Sequence, residues 1–256
     1  MGLMEGKKGL IFGVANEKSI AWAIAQALAK EGADLGFTFV GEALEKRVRP
    51  LAESLGSKMV LPCDVGSDEQ IRTVFGEVRK EWDGLDFFVH AVAFANKEEL
   101  KGMYANTSRE GFHLALDISA YSLVAMTREA IPLMEGRGGK IVTLTYFGAE
   151  KVIPNYNVMG VAKAALEASV KYLAEDVGRK GMRINAISAG PIRTLASAGI
   201  SGFRDMIHHV EEKSPLRRAV TAEEVAKTAL YLLSDLSVGV TGEILHVDAG
   251  YNIMGM

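Results

Sequence analysis

The sequence predicts one α/β domain of the doubly wound kind, a mostly parallel seven-stranded sheet flanked by helices on both faces. Two observations carry this. Short apolar runs alternate with helix-length amphipathic patterns along the whole chain, as β-α-β units require. The 256 residues, 48% hydrophobic and 24% charged, suit a single globular domain, and no linker, repeat or low-complexity stretch divides them.

The elements follow in order. Gly9–Phe12 reads as a buried strand, and Ser19–Glu31 as a helix stopped by Gly32. Leu35–Val40 is the second strand, followed by a helix from Glu42 to about Leu55. Met59–Leu61 is the third, with a helix over Ser67–Trp82, and Leu85–Ala91 is the fourth. Helical patterns cover Arg109–Leu114 and Tyr121–Met134, then Gly139–Leu144 forms the fifth strand. Asn157–Val177 is a helix, Arg183–Ile187 the sixth strand, Ala222–Leu233 a helix and Glu243–Val247 the last strand. Residues 190–202 are rich in small residues and lack periodicity, the profile of a lid or binding loop.

Bulk properties exclude several classes. A net charge of −3 gives no electrostatic case for nucleic acid. No apolar run reaches the ~18–20 residues of a membrane span, and the first residues lack the apolar core of a signal peptide. The lone Cys63 rules out an internal disulfide framework and fits a reducing cytoplasm. No His/Cys/carboxylate cluster has metal-ligand spacing, so no metal is expected. The adjacent His208 and His209 fall on different helix faces and read as surface residues.

Ligands of doubly wound sheets bind beyond the carboxyl ends of the strands, where strand order reverses. After the first strand comes Gly13-Val14-Ala15-Asn16-Glu17-Lys18-Ser19-Ile20, a turn with one glycine opening a helix. Gly13 lets backbone approach a pyrophosphate, and the helix N-terminus supplies amide donors. Ser19 either adds a hydroxyl contact or caps the helix. Asp64, after the third strand, either accepts from an adenine amino group or serves as a turn residue. His90 reads as a buried, hydrogen-bonded histidine. Glu42, after the second strand, disfavours a 2′-phosphate, although Lys46 and Arg47 lie further along; NADH is therefore expected over NADPH. Tyr156 and Lys163 are seven apart, which places a phenol and an ammonium on one helix face, two turns apart. Phe94, Met159, Ile200, Phe203 and Met206 either line an apolar slot or pack as ordinary core.

With these pieces placed, the chain resembles the short-chain dehydrogenase/reductase superfamily, and within it the bacterial NADH-dependent enoyl-acyl-carrier-protein reductases. The marks are Gly13 with Ser19-Ile20, Cys63-Asp64-Val65, Thr107 to Phe112, Thr145-Tyr146, Pro154 to Lys163, Arg183 to Ala196, and Thr241-Gly242-Glu243 with His246-Val247-Asp248. Ketone-reducing members carry Tyr, three residues, Lys, and a catalytic serine on the fifth strand. Here the gap is six, and the strand ends Leu144-Thr145-Tyr146.

The resemblance implies a Rossmann-type fold and reduction of the trans-2 double bond of an enoyl thioester on acyl carrier protein, in the fatty acid elongation cycle. It implies a cytoplasmic homotetramer, with the Tyr121–Met134 and Asn157–Val177 helices at an interface. Gly13, Ser19 and Ile20 are implied to hold the pyrophosphate side, Asp64 and Val65 the adenine, and Val92 to line the nucleotide. Lys163 is implied to bind the nicotinamide ribose, and Ile192, Arg193, Thr194, Leu195 and Ala196 to meet nicotinamide and pyrophosphate. Ala95 and Tyr156 are implied to face the thioester, Tyr146 to be the second active-site tyrosine, and a lid to span about 192–213. The family often has Gln where this chain has Val40, and basic residues near the lid; here Arg204 fits, Ser201 and Asp205 do not, and Lys213, Arg217 and Arg218 lie nearby to take part instead. The rival readings are a ketone or alcohol dehydrogenase of the same fold, and a non-catalytic NAD sensor.

Overall fold

The computed structural model describes residues 2–195, 197 and 201–255. Ala196 and Ile200, each assigned a site role from the sequence, lie outside the described residues.

Seven strands form one sheet in the order β3-β2-β1-β4-β5-β6-β7. They are β1 (Lys8–Phe12), β2 (Asp34–Phe39), β3 (Met59–Pro62), β4 (Phe87–His90), β5 (Lys140–Thr145), β6 (Arg183–Ala189) and β7 (Ile244–Val247). All six pairings are parallel. The strand order reverses between β1 and β4, so the crevice beyond their carboxyl ends is the place where such sheets hold ligands.

Helices cover both faces. α1 (Ile20–Lys30), α2 (Gly41–Ser54) and α8 (Ala222–Leu233) pack one core around Ile11, Phe37, Val89 and Val142. α3 (Asp68–Trp82), α5 (Ser122–Met134) and α6 (Asn157–Gly178) pack the other around Leu10, Phe12, Phe88 and Ile141. Neighbouring strand residues alternate between the two cores, as a pleated strand buried on both faces demands.

Local signals account for the element ends. Gly32 (φ +94°) ends α1 in a Schellman arrangement: Ala33 N donates to Leu28 O at 3.1 Å and Gly32 N to Ala29 O at 3.0 Å. Ser67 caps α3 by accepting from Gln70 N, and Thr221 with Glu224 forms a capping box on α8.

Two features differ from the sequence reading. The helical patterns before and after residue 117 are one rod: α4 (Arg109–Leu116) runs into α5 through a π-helical segment, Asp117–Tyr121. The segment aims Ser119 at the backbone of Phe94, with Phe94 N donating to its Oγ at 3.0 Å. The region after β6 also contains a helix, α7 (Phe203–Lys213), entered through Gly202 in the left-handed conformation. Among the described residues no helix is long and apolar enough to cross a membrane.

Candidate active site

A cavity of about 770 Å³ opens at the carboxyl end of the sheet. Its wall brings together Gly13, Ser19, Ile20, Val92, Ala95, Tyr146, Tyr156, Met159, Lys163, Ile192, Thr194, Leu195 and Phe203 from the residues singled out in the sequence. Asp64, Val65, Arg193 and Met206 are outside that wall. Arg193 is exposed, and Val65 is buried in the core beneath α3 and α5.

The turn after β1 forms one end. Gly13 has φ +98°, and a Cβ there would meet Ala91 O at 2.1 Å, so only glycine lets β1 and β4 end side by side. Ser19 occupies the N-cap position of α1 but makes no capping bond. Its Oγ accepts from Ala15 N at 3.0 Å and Asn16 N at 3.1 Å, which folds the turn onto the helix start. The first turn of α1 carries no acid, so its N-terminal field is left for an anion. At Asp64 the turn role is realised: Oδ1 accepts from Gly66 N at 2.9 Å, and the residue is exposed.

The floor is built by β4 and β5. His90 is fully buried, with Nδ1 2.8 Å from Thr143 Oγ1 and Nε2 2.8 Å from Ser122 Oγ. Burial, with the nearby Lys163 charge, pushes it down to about 3, so it is a neutral structural ring at any working pH. Ala91 and Ala93 continue from it along the cavity wall, where small side chains leave room for a flat ligand.

The reactive end is formed by α6 and the residues after β5. Tyr156 is not in the first turn of α6 but at its N-cap, with Lys163 two turns in. Both reach the same cavity. Lys163 Nζ donates to Leu144 O at 2.8 Å, which fixes the side chain and leaves two ammonium hydrogens for a ligand. Burial pulls its pKa down to about 8. Tyr156 is 7% exposed, and burial holds its phenol well above the ordinary range, hence protonated. The Tyr146 ring meets it edge-on, centroids 5.1 Å apart at 73°. Tyr146 is likewise pushed up by burial, and its hydroxyl lies 2.9 Å from Met206 Sδ on α7. Met206 thus touches the site through Tyr146. Asn155 Nδ2 donates to Ser201 O at 3.0 Å, a second tie between the α6 entrance and the segment leading into α7.

Sequence reasoning missed part of the wall. Asn96, Lys97, Glu98 and Leu100, between β4 and α4, line the cavity. It also missed Glu167, whose Oε1 accepts from Thr145 Oγ1 at 2.7 Å. Its sequence signal was available: Glu167 is four residues past Lys163, hence on the same helix face. Among the described residues no cluster of three or more His, Cys, Asp or Glu side chains can hold a metal ion.

Residues 13–252 match the sequence profile of the family described as enoyl-(acyl carrier protein) reductase. An enoyl-[acyl-carrier-protein] reductase [NADH] of Rickettsia prowazekii is 58% identical over 254 residues, covering 99% of this chain and 97% of the relative. The crystal structure of the corresponding Aquifex aeolicus enzyme superposes with a TM-score of 0.97 at 55% identity, covering 100% of both chains. That of Anaplasma phagocytophilum, in complex with NAD, gives 0.96 at 56% identity, covering 100% of this chain and 97% of the other. The chain belongs to the enoyl-acyl-carrier-protein reductase family.

Proposed function

We propose that this protein is an NADH-dependent enoyl-acyl-carrier-protein reductase in which Tyr156 stabilises the developing enolate and Lys163 holds the nicotinamide ribose. The observation that carries this is the convergence of Tyr156 and Lys163 on one cavity at the switch point of the sheet. The residues fit a dinucleotide: the Gly13 turn, the acid-free start of α1, and an ammonium with two free hydrogens all face the same space.

NADH, when bound, supplies the hydride that reduces the β-carbon of the enoyl thioester. As charge moves to the thioester oxygen, the Tyr156 O–H donates to it, a contact stronger in the transition state than in the ground state. Burial keeps that phenol protonated, as a donor must be. Lys163 adds positive charge beside the same oxygen while gripping the ribose. Tyr146 buttresses Tyr156 edge-on and links the pair to Met206. Phe94, Ala95, Met159 and Phe203 give the acyl chain an apolar wall, the last of them from α7.

NADH is favoured over NADPH by Glu42 in the first turn of α2. The relatives in Rickettsia and Aquifex are described as NADH enzymes. We assign the acyl carrier protein contact to the lid side, where Arg204 is exposed on α7. The guanidinium of Arg218 is already committed to Glu224 at 2.6 Å. A homotetramer through α5 and α6 belongs to the same proposal, with Tyr121, 44% exposed at the start of α5, and Tyr172, 79% exposed on α6, as its candidate contacts. We place the reaction in the cytoplasm, where the buried Cys63 thiol, pushed up to about 12 by burial, stays reduced and inert.

The deciding experiment offers crotonyl thioester with NADH or NADPH and follows cofactor oxidation, beside a panel of ketones. Oxidation of NADH with the thioester alone is expected. Turnover of ketones without turnover of the thioester would overturn the assignment.

A further inference from the structure

Glu167 carries a half-buried carboxylate that no step above uses. It accepts from Thr145 Oγ1 at 2.7 Å, while Lys163, one helical turn earlier, donates to Leu144 O at 2.8 Å. Successive residues at the end of β5 are thus tied to successive turns of α6. The next residue, Tyr146, packs on Tyr156. We infer that Glu167 is a positioning residue for the reduction: its carboxylate, one turn along the same face of α6 from Lys163, and its bond to Thr145 hold in place the ammonium and the strand end that presents the Leu144 carbonyl and Tyr146. The inference rests on the role of Lys163 given above.

Burial pulls Lys163 down to about 8, and Glu167 opposes that shift. Among the described residues, Tyr146, Tyr156 and the neutral His90 are further titratable groups around the ammonium, and Glu167 also helps keep the Tyr156 phenol protonated. Around Glu167 itself, burial and Glu150 disfavour the carboxylate. The Thr145 bond, His246 and Lys171 favour it. Glu150 Oε1 lies 2.7 Å from His246 Nε2. Without the Glu167 charge, Lys163 gives up its proton at lower pH, and both the ribose grip and the positive charge beside the enolate fade on the alkaline side.

The test compares Glu167→Gln, which keeps shape and acceptor but loses charge, with Glu167→Asp, which keeps charge on a shorter arm. Enoyl-thioester turnover and NADH affinity are measured from pH 6 to 9. Residues four apart on a helix lie about 5–6 Å apart at Cβ, and removing an opposite charge at that spacing shifts a partner by about one unit, so the Glu167→Gln alkaline limb should move down by about one pH unit. Its activity should fall about fivefold at pH 8 and under twofold at pH 6, with NADH affinity weakening in parallel. Glu167→Asp should keep the wild-type limb. A Glu167→Gln limb superimposed on wild type, or equal losses at every pH in both variants, would overturn the inference while leaving the reductase assignment intact. A wild-type protein that fails to oxidise NADH with the thioester would overturn the assignment and the inference with it.

Discussion

Gly148→Ala should disable the site without replacing a cavity-wall residue. Gly148 follows β5 by three residues and sits directly on the Tyr156 ring. A Cβ there would lie 2.5 Å from Tyr156 Cδ1, 2.7 Å from its Cε1 and 3.3 Å from Tyr146 Cδ1. Ordinary contact begins at 3.4 Å, so one partner must retreat by about 0.9 Å. The φ of Gly148 is outside the left-handed region, so alanine brings steric strain and no backbone strain. If the ring yields, the Tyr156 hydroxyl leaves its position. If the loop lifts, Tyr146 goes with it, along with the packing of Phe147 on Tyr251 at 5.8 Å. Loop and helix approach closely elsewhere too, since a Cβ at Gly160 would be 2.7 Å from Gly148 O. Overpacking of this kind costs about 1–3 kcal/mol, or a drop in Tm of roughly 2–12 °C for a chain of this size. A misplacement near 1 Å costs about 10² in rate. Steady-state turnover with crotonyl thioester should therefore fall about 100-fold, while NADH affinity, read by fluorescence titration, changes little. A folded Gly148→Ala protein with wild-type kcat would refute the claim that the two tyrosines act from fixed positions.

Three further outcomes are expected. Tyr156→Phe should lower kcat by about 10²–10³ with NADH affinity kept; equal activity would remove its donor role. Lys163→Ala should weaken NADH binding about 10–100-fold, the worth of a charged hydrogen bond, and unchanged affinity would detach it from the ribose. His90 stays neutral in the fold down to about 3 but takes a proton near 6.5 when unfolded. The unfolded chain then binds more protons between those values, so stability rises with pH there, by up to about 1.4 kcal/mol per unit from this residue. Urea unfolding between pH 5 and 6.5 should show a shallower slope in His90→Gln, and parallel slopes would refute the buried neutral ring.

Where the sequence could be read and where it could not follows from what each signal depends on. The strands were legible to within a residue or two because a strand buried on both faces is a bare apolar run, such as Leu10-Ile11-Phe12. Gly32 and Ser67 were legible because a helix end needs local chemistry. The α4–α5 rod was broken in the reading because its π-helical segment shifts the hydrophobic period at Asp117–Tyr121. α7 did leave a trace, Phe203, Met206, Ile207 and Val210 at helical spacing, next to a small-residue stretch that drew attention to a loop. The pairing of Glu167 with Thr145 needed the sheet: the two lie 22 residues apart, and only the packing of α6 on β5 brings them together.

The same packing bears on how far the Tyr156 proton travels. A phenolate there would be buried, edge-on to Tyr146 and near the Glu167 carboxylate, and all three features raise the cost of losing the proton. Lys163 offsets that cost only while it remains an ammonium, and burial leaves it little reserve, with a pKa of about 8. A group so placed is suited to share its hydrogen with an enolate oxygen rather than surrender it to carbon. On that reading Tyr156 and Glu167 act in the same direction. One supplies the hydrogen bond, and the other makes the phenol keep its proton and the lysine keep its charge. The spacing of six between Tyr156 and Lys163 then has a physical sense: it sets the phenol at the N-cap, free of the helix's first turn, while the ammonium and its carboxylate stay two and three turns further in.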